Sequence, residues 1–381
     1  MKRTLALFAL SALAAPLALA APNPAWAIPG TEILLVADRL NQEVPNQQAW
    51  DAPQKKWMAA VKDSGGAVPE AYQPLLKAAF GMTPEGEVPD FRAVVFAVTL
   101  PQSAEAFSSF TQDIWPKELG VYYFIEHPKV DQAAGDALCE LAIKDKLNGQ
   151  AVLKRDGAWS TLVLTDPTEA EGMPLIAWRT IAQGAAFAVC DARATADRAV
   201  DNTVVPAAGS PLAEAFRAPA AKGPWFRIVV RDVAGLAKRY VSTPEGLQQL
   251  RLKAPLLLQV RTLTVTACYR PDGAQQLTIE AATDSPTDAA LVRDQLTMFK
   301  VLARQMIVPK LYGTPYADLF AALIDGAVCE AKGNAATLTV TLTPTQAEAF
   351  IDLLIANQAA LAGGASGDPF EDDTPYIGDR P

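Results

Sequence analysis

The chain has 381 residues, is 50% hydrophobic and 20% charged, and carries a formal charge of −9. That composition excludes a disordered chain and is enough for a sizeable core in one large domain or two ordinary ones. A single histidine, His127, and four cysteines exclude a multi-histidine metal centre, a His-rich oxygenase or a zinc hydrolase.

The first residues have the form of a secretory signal. Lys2 and Arg3 give a basic start, and Leu5 to Leu13 form an apolar stretch that Pro16 ends. Ala18-Leu19-Ala20 is a small-x-small cleavage site that makes 1–20 the signal peptide; Ala25-Trp26-Ala27 is the alternative, with cleavage after 27. The apolar run is shorter than the ~20 residues of a membrane span. No cysteine precedes Cys139, so the lipobox of a lipid anchor is absent, and no later stretch is long and apolar enough to cross a bilayer. The expectation is a soluble bacterial protein exported to the periplasm or beyond. Loss of Lys2 and Arg3 with the leader lowers the formal charge by two, to −11. Lys55-Lys56 and Lys144, Lys146 are bounded by acids, so no basic cluster exists to hold nucleic acid or anionic lipid.

After the leader, a strand is predicted at 31–37, with helices at 48–62 and 69–80. Asp63-Ser64-Gly65-Gly66 is similar to the nucleophile loop of trypsin-like proteases. Lys62 stands where that loop has glycine, and the only histidine follows the serine, so the segment reads as a surface turn. A strand at 91–100 and a helix at 102–112 come next. His127 ends the strand-like run Val121 to Glu126, and on a strand Glu126 points to the opposite face and cannot orient it. A helix at 132–147 carries Cys139, a strand follows at 158–165, a helix at 167–182, and a strand at 185–190 that ends in Cys190. A helix is predicted at 193–200, and the Pro- and Ala-rich linker that follows, 201–224, holds a short one at 210–217.

The second half repeats the alternation. Strands are predicted at 226–231, 257–269 (with Cys268), 275–282, 326–331 (with Cys329) and 335–342. Helices are predicted at 232–240, 286–307, 315–325 and 344–361. Val292, Leu296, Phe299, Ala303 and Met306 form one stripe of helix 286–307 and are predicted core, as are Ala347, Phe350, Ile351, Leu354 and Ile355 of the last helix. Gly363-Gly364 ends that helix, and an acidic tail, 363–381, follows. Four cysteines in an exported chain allow two local disulfides, Cys139–Cys190 and Cys268–Cys329, against four buried thiols as the alternative. The second pair would bridge if its strands are neighbours.

Three strand ends share one helix-start grammar: Asp166-Pro167-Thr168-Glu169, Ser285-Pro286-Thr287-Asp288 and Thr343-Pro344-Thr345-Gln346. A capping oxygen, a proline at the first helical position and a capping-box residue account for all three. Longer matches recur in order: Ile33 to Leu40 with Ile228 to Leu236, Ser103 to Phe107 with Thr287 to Leu291, and Asp166-Pro167-Thr168 with Thr343-Pro344-Thr345. They point to an internal duplication. The fold class expected is α+β with two similar lobes, 28–200 and 225–362, each a mainly antiparallel sheet packed with amphipathic helices.

Through 33–40, 228–236 and 335–355 the chain resembles a loosely defined class of exported bacterial proteins of unknown function, common in planctomycete-like genomes. That class has no catalytic motif, so the resemblance implies no site residue. The residues themselves supply no nucleophile elbow, phosphate loop or zinc spacing, and no catalytic, cofactor or metal residue is assigned. Trp159, Trp178 and Trp225 read as core. The leading expectation is non-catalytic binding of a partner protein or apolar small molecule in the cell envelope. The alternatives are a carboxylate-dependent hydrolase of envelope or extracellular polymers and a structural envelope component assembling through sheet edges.

Overall fold

The computed structural model describes residues 22–38, 46–61, 71–80, 92–103, 115–127, 129–166, 172–216, 224–241, 244–253, 255–312 and 316–363. Twelve strands form one sheet. In chain order they are β1 Ile33–Asp38, β2 Ala93–Thr99, β3 Gly120–Glu126, β4 Ala151–Asp156, β5 Trp159–Leu164, β6 Leu175–Ile181 and β7 Gly184–Cys190. β8 Phe226–Arg231, β9 Val260–Tyr269, β10 Gln275–Thr283, β11 Val328–Lys332 and β12 Ala335–Leu342 follow. Their order across the sheet is β11-β12-β10-β9-β8-β1-β2-β3-β7-β6-β5-β4. Every pairing is antiparallel. The fold is α+β, and the halves expected as separate sheets share one, joined where β1 pairs with β8.

Residues directly opposite each other in antiparallel strands point to the same side, so the register sorts the side chains by face. Leu34, Val36, Val95, Ala97, Tyr122, Phe124, Ala186, Ala188, Cys190 and Val229 lie on one face and form the main core. Three pieces cover it. The segment Pro24–Trp26 lays Trp26 flat on Phe124, with ring centroids 5.2 Å apart. Helix Arg193–Val200 contributes Ala196 and Ala199, and helix Pro211–Ala215 contributes Leu212 and Ala215, with Phe216 just beyond it. Part of the expected linker is therefore core. The opposite face of β8 to β10 and β12 carries a smaller core of Val260, Ala281 and Ala336.

Ten α-helices are described: α1 Gln47–Val61, α2 Gln73–Phe80, α3 Gln132–Leu147, α4 Arg193–Val200, α5 Pro211–Ala215, α6 Val233–Tyr240, α7 Pro244–Lys253, α8 Pro286–Ile307, α9 Tyr316–Gly326 and α10 Pro344–Gly363. Two of the three predicted helix starts show their caps. Ser285 Oγ accepts from the Asp288 N–H at 3.1 Å, and Thr343 Oγ1 from the Gln346 N–H at 3.3 Å while Gln346 Oε1 takes the Thr343 N–H at 2.9 Å. The third start, after Asp166, lies outside the described residues, as do helix 102–112, the Ser64 turn, the signal segment and the acidic tail. The helix predicted at 167–182 is corrected: 175–181 is β6, paired to β5 and β7. Ala177 and Trp178, neighbours on opposite faces of β6, are both buried, so the run lacks the alternation of a half-covered strand. β4 and α7 are further elements that the pattern did not predict.

The disulfide pairings are corrected as well. All four cysteines are free thiols. Cys190 belongs to the main core face, whereas α3, which carries Cys139, packs on the other face. There Gly135 meets the Trp178 ring, and Gln132 Nε2 donates to Ser160 Oγ at 3.0 Å. The sheet separates that pair. Cys268 on β9 and Cys329 on β11 have β10 and β12 between them, a gap of about 14 Å at normal strand spacing. A disulfide needs Cα atoms within about 7 Å.

Candidate functional site

α8 is a 22-residue helix begun by the Ser285 cap and Pro286. Its first half docks on the sheet: Ala289 and Val292 are buried, and Leu296 packs with Val292 on the smaller core. The helix is about 33 Å long and packs along β11, β12 and β10 and beside α9. Its second half is apolar. Met298, Phe299, Val301, Leu302, Met306 and Ile307 are all exposed, Met306 by 61% of its surface, with Leu291 before them and Tyr312 after. Phe299 and Met306, predicted as core, lie on this open face.

The charges of α8 are turned aside from it. Arg293 donates to Asp294 at 2.6 Å. Lys300 Nζ donates to the carbonyls of Asp325 and Ala327 at 3.0 and 2.6 Å, and Arg304 Nε reaches both Asp325 oxygens at 2.9 and 3.1 Å. Lys300 and Arg304 thus tie α8 to the end of α9 and satisfy carbonyls that a helix C-terminus leaves open. What remains is an exposed apolar stripe of Leu291, Met298, Phe299, Leu302 and Met306.

A second constellation lies at one end of the central strands. Asp38 and Glu126 both lie opposite Ala93, from β1 and β3, and Arg227 lies opposite Val36 on β8. All three are buried on the main core face. Arg227 Nη1 donates to the Ala215 carbonyl at 3.1 Å. Burial pushes the Glu126 carboxyl up to about 7; Arg92 opposes the shift and Asp38 adds to it. Glu126 Oε2 has no hydrogen-bond partner among the described residues. Gly184 lets β7 approach here: it has φ +150°, and a Cβ would collide with the Ile125 carbonyl oxygen. Next to Glu126, His127 is 2% exposed, its Nδ1 accepts the Lys129 N–H at 3.0 Å and its own N–H donates to the Gln183 carbonyl at 2.8 Å. It holds a turn. Both carboxylates are closed in by the fold, so they bear on its stability first.

The remaining candidates are structural. Burial pushes the thiols of Cys139 and Cys190 up to about 11, away from the thiolate that reacts. Trp159 donates to Asp197 Oδ1 at 2.8 Å between the guanidinium groups of Arg179 and Arg193. Trp178 stacks on Phe187, and Trp225 on Tyr269. No described helix is long and apolar enough to cross a membrane. The exposed face of α8 was not foreseen, because apolar spacing along a helix gives no sign of which positions the fold covers.

No family model and no curated protein matches the chain. Among solved structures it is similar to one described as "Structure of crystal form I of TP0453", with 8% identity over 88% of this chain and 99% of that one and a TM-score of 0.37. A likeness at that level carries no argument about function.

Proposed function

We propose that this chain is an exported, non-catalytic binding protein of the cell envelope, and that it holds a partner protein against the apolar face of α8. The observation that carries the reading is that face: apolar side chains left open along half a helix whose own charges are bound elsewhere. Asp38 and Glu126 are buried, so this pair does not support the hydrolase reading. Edge assembly is disfavoured because the outer strands carry exposed charges, Lys154 and Arg155 on β4 and Glu330 and Lys332 on β11, which block strand addition.

Signal cleavage after Ala20 fits this reading better than cleavage after Ala27, since Ala25, Trp26 and Ala27 are core. The strand order supports duplication. Each half runs three adjacent strands, then a helix, then a return whose last strand lies beside the third: β1-β2-β3-β7 and β8-β9-β10-β12.

Native mass spectrometry of the mature chain, purified from its own envelope fraction, tests the binding role. Added protein mass on the wild type that is missing from Leu302→Glu is expected. Added mass of a small molecule instead would move the reading to an apolar ligand. A bare chain in both samples would overturn it.

A further inference from the structure

Resting on that reading, we propose that the partner is a second copy of this chain, paired antiparallel along α8 about a two-fold axis at position 300. The exposed seam is self-complementary. Gln295, Met298, Leu302 and Gln305 recur at spacings of three, four and three residues, so they fall on one stripe of the helix. Read from either end, the stripe gives an amide, an apolar side chain, an apolar side chain and an amide, centred on residue 300. A two-fold axis there sets each Met298 level with Leu302 of the second copy, and each Gln295 level with its Gln305. Phe299, one residue from the axis, flanks the seam on each copy. A closed two-fold pair uses the same patch twice, which is what such a palindrome provides.

Three observations favour a copy over a lipid surface. Insertion into a bilayer would desolvate the exposed Gln305 amide with nothing to bond, whereas the pair sets it level with Gln295 of the second copy. Gln295 Oε1 is buried without a hydrogen-bond partner among the described residues, an unsatisfied acceptor that the Gln305 amide of a second copy would meet once the Gln295 side chain turns outward. The basic residues of α8 are engaged by Asp294, Asp325 and Ala327, so the helix itself offers phosphate headgroups no free cation. The exposed stripe of Met298, Phe299, Leu302 and Met306 supplies the apolar centre such an interface needs.

Sedimentation equilibrium of the mature chain, with Met298→Lys and Leu302→Glu made separately, tests the pairing. The wild type is expected to dimerise, and each variant to weaken dimerisation about 100-fold. Mixing the two variants is expected to restore a dimer, because the antiparallel register brings the introduced lysine of one variant level with the introduced glutamate of the other. A wild-type dimer that the variants leave intact, or variants whose mixture stays monomeric, would overturn the proposal. So would a wild type that is monomeric at about 200 μM. In that last case, anilinonaphthalene sulfonate fluorescence separates the two claims. Dye binding lost in Leu302→Glu keeps α8 as a binding face for another partner, and no dye binding at all removes both.

Discussion

Glu126 is a buried carboxyl whose ionisation the fold resists. Its carboxyl titrates near 4.5 when unfolded and at about 7 in the folded chain, through burial first and the Asp38 charge beside it, against the pull of Arg92. Below pH 4.5 both states hold the proton and nothing is lost. As pH rises through 7 the folded state must give up a proton that the unfolded state has already lost, so stability falls. At 1.36 kcal/mol per unit, the cost at pH 8 is about 3 kcal/mol. Glu126→Gln keeps the shape and removes the charge. Urea unfolding of both proteins between pH 4 and 9 should show equal stability near pH 4 and a gain of about 1–3 kcal/mol for the variant at pH 8. Parallel pH profiles, or a variant weaker at pH 8 than at pH 4 relative to wild type, would refute the assignment of this cost to Glu126.

Three further outcomes follow from the packing. Gly135→Ala should destabilise by about 1–2 kcal/mol in thermal unfolding despite alanine's better helix propensity, because the new Cβ would run into the Trp178 ring; Trp178→Phe should recover part of the loss. Alkylation in denaturant without reductant should label all four cysteines, and in native protein Cys190 should label last, being fully buried; a chain with no labelled thiol would restore the two-disulfide reading. Amino-terminal sequencing of the exported protein should begin at Ala21, and a chain begun at Ile28 should lose about 3–5 kcal/mol with the Trp26 ring, since that ring fills the core against Phe124.

Much of the architecture was legible where the ends of elements are chemically marked. α4, β8 and β12 fall on their predicted ranges, and α8 begins at its cap and proline. The failures share a physical cause: local pattern reports that a side chain is apolar, but not what lies opposite. β6 read as helix because Ala177 and Trp178 are covered on both sides and a capping sequence precedes them. β4 was missed because an edge strand with Lys154, Arg155 and Asp156 exposed carries almost no apolar signal. The cysteine pairs were chosen by nearness in sequence, and only the register showed each pair divided by the sheet or by intervening strands. Phe299 and Met306 sit at core spacing on α8, yet both are exposed.

The charge balance and the apolar helix fit together. The chain carries a formal −9, and like-charged copies repel one another at all the orientations in which their acidic surfaces meet. That repulsion guards an exposed apolar helix against random association. It acts least where charge is locally cancelled. Along α8 the Arg293–Asp294 pair and the Lys300 and Arg304 contacts with α9 do this cancelling, beside the seam of Gln295, Met298, Leu302 and Gln305. The acidic surplus and the neutral seam therefore work in the same direction: the first excludes most encounters, and the second leaves one stripe on which an encounter can become a contact.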